Sequence, residues 1–422
     1  MNTFSILFVV ALAAATLVQL WLAGRQRAHV IAHRKQVPDA FVERIGLDDH
    51  HKAADYTVTK TRLGMMELVY DGLLLLAWTL GGGLEWLDQT WRGAGLGSIA
   101  TGVGFMLSAM AIMAVLELPF SLYHTFVVEQ RYGFNRSTPG VFAGDLVKQF
   151  LLMIIIGGPM IAIALWIMQH AGGLWWLYVW LVWMGFSLIM LWVYPAVIAP
   201  LFNRFTPLQN DTLKVRIQAL LDKCGFRSQG IFVMDGSRRS GHGNAYFTGF
   251  GRNKRIVFFD TLLQSLEPGE IEAVLAHELG HFKLKHIQKR LVTTAVFSLA
   301  GLALLGWLAG QEWFYHGLGA SQASPYMALV LFMMATPPFV FFLQPVMAHL
   351  SRRHEFEADA YAVSQSSGND LVKALVKMYR ENASTLTPDP LYSAFHDSHP
   401  PAAVRISHIS GKLRQTTIGG CT

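Results

Sequence analysis

His277-Glu278-Leu279-Gly280-His281 is the stretch on which the reading of this chain turns, because it spells H-E-x-x-H shortly before an apolar run that opens at Leu291. On a helix, residues i and i+4 share a face. His277 and His281 therefore project together, roughly 6 Å apart, a spacing suited to two corners of a zinc tetrahedron. Glu278 is turned about 100° around the axis, so its carboxylate stands beside a metal without binding it and can take a proton from water there. Upstream, Glu267-Pro268 followed by Glu270 and Glu272 reads as a helix start, with acids where the helix dipole favours them. Nothing in the pattern breaks this helix before Gly301, so it is expected to run directly into the apolar stretch. His281 would then lie about 15 Å from the start of that stretch, close to a membrane surface.

The whole composition supports a membrane. The chain has 422 residues, of which 52% are hydrophobic and only 15% charged, and its mean hydropathy is +0.35. Those values are too apolar for an ordinary soluble protein. Seven windows are long enough to cross a hydrocarbon core, which takes about 20 helical residues. They run from Ser5 to Gly24, Leu68 to Leu87, Ile99 to Leu122, Phe150 to Met168, Leu174 to Phe202, Leu291 to Leu308 and Met327 to Leu350.

Charge orients these spans. No basic residue precedes the first window, and Arg25, Arg27, Arg34 and Lys35 follow it, so it is expected to stay as an anchor with its N-terminus outside. Loops after spans one, three, five and seven carry Arg131, Arg136, Arg204, Lys214, Arg352 and Arg353. The other loops hold almost no basic residues beyond Arg92. The two polar regions, 203–290 and 351–422, thus face the cytosol, and the chain divides into 1–202, 203–290, 291–350 and 351–422. The net charge of +6 is accounted for by this asymmetry, and no aromatic-interleaved basic motif calls for nucleic acid. Cys224 lies on the cytosolic side, where no structural disulfide is expected, and Cys421, followed by Thr422, does not form a C-a-a-X box.

In the first polar region Asp211 to Cys224 has helical periodicity, and Gly230 to Asp235 reads as a buried strand. Asn244 to Phe250, a turn at Gly251-Arg252-Asn253 and Lys254 to Phe259 make a hairpin. A catalytic zinc needs three protein ligands and an open position. A third histidine in the metzincin pattern would fall at position 287 with glycine at 284, but those positions hold Ile287 and Leu284. His286, five residues past His281, would point away from the pair. The alternative is an acid from a second helix. Ser351 to Gln365 extends span seven and returns beside the motif helix, with Glu355 and Asp359 on one face. One of them can bind zinc while the other accepts the second N–H of a ligating histidine. Glu357, about 200° away from Glu355, reads as a solvated acid.

HELGH at 277–281, SRRHEFEADA at 351–360, NAYFTGF at 244–250, RIVFFDTLL at 255–263 and HDSHPP at 396–401 resemble the integral-membrane zinc metalloprotease family of the type I CAAX prenyl protease. The order, the spacing and the seven spans carry the resemblance over nearly the whole chain. It implies a predominantly α-helical multi-pass membrane protein in which seven transmembrane helices enclose a water-filled chamber. A cytosolic, gluzincin-like metalloprotease domain with a small β-sheet would cap it. It further implies one Zn2+ per chain on His277, His281 and Glu355, Asp359 as the partner of a ligating histidine, and Glu278 as general base. Asn244, with Ala245 and Tyr246 on the same strand, would contact the substrate backbone, which an open strand edge could take up as an added strand. His399 and Arg405 resemble the family's groups that stabilise the oxyanion.

The function implied is an endopeptidase acting on membrane-associated peptides, resembling the enzyme that removes the tripeptide after a prenylated cysteine. The same chemistry could serve quality control of non-prenylated membrane proteins. From another class, a seven-span transport protein with a structural zinc would need a fourth protein ligand and no Glu278. The expected partners are a peptide or protein substrate, prenylated or membrane-bound, and the bilayer, with the chain working as a monomer. The short loops fit a bacterial inner membrane, and a eukaryotic origin would imply the endoplasmic reticulum. Asp71 and Glu117, inside the spans, either line a chamber or cap helices near the interface. The tryptophans 175, 176, 180 and 183 of span five read as lipid-facing, and Pro337, Pro338 and Pro345 should bend span seven.

Overall fold

The computed structural model describes residues 2–248 and 254–419, with side chains through 414. Cys421 and the hairpin turn Gly251-Arg252-Asn253 lie outside the described residues. Helix α1 (Thr3–Ala32) opens with Asn2 accepting the Ser5 N–H at 2.9 Å. It packs on α2 (Leu47–Trp78), which is followed by α3 (Gly83–Gly93). Further spans are α4 (Ser98–Glu129), α5 (Pro139–His170) and α6 (Gly172–Phe202). Residues such as Leu17, Leu73, Val115 and Ile155 have more than three-fifths of their surface bare, as apolar side chains on membrane-crossing helices do. Phe8, Phe105, Leu165, Phe314 and Leu331 fill the core between the spans.

Among the described residues, six helices are long and apolar enough to cross a membrane, and α2 with α3 makes a seventh only as a pair bent by 47°. The expected single helix over Leu68 to Leu87 is therefore corrected to a broken one. The reason is local. Gly82 has a left-handed φ of 82°, and a β-carbon on Gly81 would sit 2.7 Å from the Ala77 carbonyl oxygen, so the chain turns where three glycines allow it. The Trp-rich face of α6 is also partly inward: Trp180 donates to the Ala295 carbonyl and to Ser298 at 3.1 Å, and Trp176 fills the space beside Gly306.

Outside the spans lies a four-stranded sheet in the order β1-β2-β4-β3, with β1 (Phe205–Pro207), β2 (Ile231–Met234), β3 (Ala245–Thr248) and β4 (Arg255–Phe259). Strands β3 and β4 pair antiparallel with Tyr246 opposite Val257, and β2 runs parallel to β4. One edge of β3 is thus left without a strand partner in the sheet. Helix α7 (Asp211–Lys223), capped by Asn210, packs Leu213, Ile217 and Leu221 into a core shared with Phe258, Leu275 and Leu279.

Helix α8 (Pro268–Lys283) carries the motif and starts where expected, with the Glu267 N–H donating to Glu270 at 2.8 Å and Lys377 bracing the same carboxylate. It does not run on into the next span. Leu284 ends it, Lys285 takes a left-handed φ of 61°, and α9 (His286–Leu308) starts afresh. The following span is the 41-residue α10 (Pro325–Gln365). Pro337 and Pro338 deprive it of two backbone donors, and a 3-10 turn at Phe341–Leu343 interrupts it. Its far end lies against α8, and α11 (Gly368–Glu381), α12 (Pro390–His396) and α13 (Ala402–Gly419) close the domain. Asp389 caps α12 and receives a bidentate pair of bonds from Arg25 of α1. A cavity of about 810 Å3 lies between the first two spans and the domain, with Gln19, Glu67, Asp71, His242 and His396 among its walls. Asp71 thus lines a chamber, and Glu117 is an exposed residue of α4.

Candidate metal centre

Two turns of helix α8 and one of α10 supply the centre. The Nε2 atoms of His277 and His281 are 3.2 Å apart, and the Glu355 carboxylate lies 3.5 Å from the first and 3.3 Å from the second. Zinc bonds of about 2.05 Å at tetrahedral angles put ligand atoms ~3.3 Å apart, close to the 3.2 Å between the two Nε2 atoms and to the distance of the nearer Glu355 oxygen from each. Among the described residues this is the group of histidine and acid donors that converges in this way, and it holds three members rather than four. Glu355 Oε2 is buried with no hydrogen-bond partner, a costly condition that a cation removes.

The two helices come this close because residue 280 is glycine. A β-carbon there would lie 3.0 Å from the Ala358 Cα and 3.1 Å from its carbonyl oxygen. On the far side of His277, Nδ1 meets Asp359 Oδ1 at 2.8 Å. Asp359 is in turn held by Arg405, with Nε donating at 2.9 Å and Nη2 at 2.6 Å, and both residues are buried. Burial works against a charge on His277, yet hydrogen bonds that its ring gives to the Asp359 and Glu355 carboxylates raise its pKa to about 9. The pocket is therefore tuned to hold positive charge. Burial also raises the Glu278 carboxyl above the usual range, against the pull of the two motif histidines, which suits a proton acceptor near neutral pH.

His286 does not point away as expected. Because Lys285 turns the chain, the His286 Nδ1 comes within 3.0 Å of the His281 Nδ1, while its Nε2 lies 3.0 Å from Glu357. Glu357 is accordingly not a free solvated acid: Arg353 donates to its other oxygen at 3.2 Å. His399, exposed, has its Nε2 3.4 Å from Glu355. Asn244 is exposed at the head of β3 and accepts the Ala245 N–H, and Tyr246 lies partly buried edge-on to Phe259. Strand β3 rests on the motif helix through Phe247, whose ring packs edge-on against Phe282 at 5.2 Å. Asn382, which carried no signal in the sequence, accepts the Gly243 N–H at 3.1 Å and so anchors the approach to β3.

Residues 207–413 match the model of peptidase family M48, and residues 26–204 match the CAAX prenyl protease N-terminal model, described as five membrane helices. The chain belongs to peptidase family M48. The CAAX prenyl protease 1 homolog of Homo sapiens is 33% identical, with 92% of each chain covered. That of Arabidopsis thaliana is 38% identical over 74% of each. Among solved structures, the crystal structure of S. mikatae Ste24p superposes with a TM-score of 0.89 at 30% identity, covering 97% of this chain and 99% of that one. Membership of family M48 makes the chain a membrane metalloprotease that acts on peptide or protein substrates, and the apolar spans make it a multi-pass integral membrane protein.

Proposed function

We propose that the metal is zinc, held by His277, His281 and Glu355, and that the enzyme hydrolyses peptide bonds of substrates that reach it from the membrane-side cavity. The observation that carries this is the convergence of the three side chains, with the two Nε2 atoms 3.2 Å apart, one Glu355 oxygen 3.5 Å from His277 and the other 3.3 Å from His281, and a buried carboxylate oxygen that has no hydrogen-bond partner. Zinc would polarise the scissile carbonyl and make water acidic enough to lose a proton near neutral pH. Glu278 receives that proton and returns it to the leaving amine. Asp359 holds the His277 ring by its Nδ1, and Arg405 holds Asp359. With Nε and Nη2 both spent on Asp359, Arg405 lends positive charge to the oxyanion from behind, while the exposed His399 turns its N–H to the carbonyl oxygen.

The peptide lies along the open edge of β3, with Asn244 contacting its backbone and Ala245 and Tyr246 setting its register. Three protein donors leave the fourth position to water and substrate, which favours catalysis over a structural zinc in a transporter. The relatives named CAAX prenyl protease 1 make a prenylated C-terminal peptide the leading substrate. The basic loops support an N-terminus outside and a metal centre in the cytosol, and protease protection in oriented vesicles tests that orientation.

The Glu278→Gln variant should keep one zinc per chain and lose cleavage by about 10²- to 10⁴-fold. Metal analysis and a fluorogenic peptide assay in detergent check this, and undiminished cleavage would remove the general-base role. Running the wild type on prenylated and plain versions of one peptide decides the substrate class, since equal rates would point to membrane-protein turnover instead.

A further inference from the structure

The two motif histidines are backed in different ways. His277 rests on a buried carboxylate, whereas the Nδ1 of His281 faces another imidazole, the His286 Nδ1, at 3.0 Å. His286 is itself buried, stacked on His354 with ring centres 4.2 Å apart. Its Nε2 is 3.0 Å from Glu357 Oε2, and Glu357 is steadied by Arg353 at 3.2 Å and Lys289 at 3.8 Å.

Only one direction of hydrogen bonding leaves both rings neutral and the site able to take a metal. His281 Nε2 faces His277 and Glu355, so it must keep its lone pair for the ion, which puts the proton on Nδ1. That N–H then donates to the His286 Nδ1, and the proton on His286 Nε2 donates to Glu357. In the reverse direction His281 would carry its proton on Nε2, in the metal's place, and His286 would need two protons.

We propose that His286 and Glu357 are positioning residues for the metal centre, a relay that fixes the tautomer and ring angle of His281 from the start of α9. The proposal rests on His281 being a metal ligand. The left-handed Lys285 is what makes the relay possible, since a continuous helix would carry residue 286 away from His281. Partners of this kind change metal affinity by about 10- to 100-fold when removed.

The test uses full-length protein in detergent, stripped of metal and titrated with zinc against a chromophoric chelator, with the cobalt-substituted absorption spectrum as a second readout. His286→Phe keeps the stacked ring but has no acceptor, and should weaken zinc binding about 10- to 100-fold and alter the cobalt bands. Glu357→Leu, at a partly exposed position where folding is not at risk, should weaken zinc in the same direction. Glu357→Gln, whose amide oxygen still accepts, should recover most of that loss. Zinc affinity and cobalt bands unchanged in His286→Phe, or Glu357→Gln as weak as Glu357→Leu, would overturn the relay. The ligand reading is checked separately by His281→Ala: stoichiometric zinc in that variant would remove the premise, whereas zinc lost there and retained in His286→Phe would leave the centre standing and reject the relay alone.

Discussion

At Gly280 the backbone of the motif helix meets the backbone of α10, and the neighbours of a hypothetical β-carbon are main-chain atoms at 3.0 and 3.1 Å that cannot swing aside. Gly280→Ala should therefore push the helices apart, costing about 1–3 kcal/mol by overpacking. Because His281 and Glu355 sit on opposite sides of that contact, it should also weaken zinc. A melting curve and a zinc titration of the one variant check both effects, and an unchanged Tm would contradict the packing argument. The convergence of His277, His281 and Glu355 was legible because a spacing of four is a property of any helix and because an acid pair at 355 and 359 shares one face. His286 was not legible in the same way, since its position depends on a left-handed lysine, and lysine carries no signal for that conformation.

The break between α8 and α9 is only two residues long, Leu284 and Lys285, yet it decides where His286 goes. A non-glycine residue held at φ 61° carries about 1 kcal/mol of strain. Lys285→Gly should raise stability by up to about that amount, and Lys285→Val, β-branched and poorly suited to positive φ, should lower it and loosen zinc with it. Thermal denaturation with and without metal measures both, and a Val variant as stable as the Gly variant would speak against strain at this turn. Other elements were readable for stated reasons: Glu267-Pro268 marked a helix start, and alternation marked β3 and β4. Strand β1 was missed because three residues ending in Pro207 carry no period, and proline is tolerated there only because the strand is an edge. The broken second span was hidden by averaging hydropathy across Gly81 to Gly83, although three consecutive glycines were themselves the warning.

On the scale of the molecule, apolar windows were enough to anticipate a predominantly helical, multi-pass membrane protein. Contacts such as Arg25 with Asp389, which tie the first span to the last part of the domain, are 364 residues apart in sequence and leave no local trace. The metal ties distant segments together in the same manner. Zinc bound only by the folded centre should stabilise it by about 2.7 kcal/mol when free zinc is a hundred times its dissociation constant. Treatment with a chelator should lower the Tm, zinc should restore it, and magnesium should not. A Tm indifferent to the chelator would mean that the ions are not held by the folded centre.

His277 and His281 precede the final pair of membrane spans, and Glu355 follows it. During synthesis the ribosome releases two ligands, then roughly seventy residues that must thread out through the bilayer and back, and only afterwards the third. A chain that stops short of Glu355 holds only two of the three converging donors. The proposed centre is thus complete only once the segment after the final pair of spans has joined the motif helix.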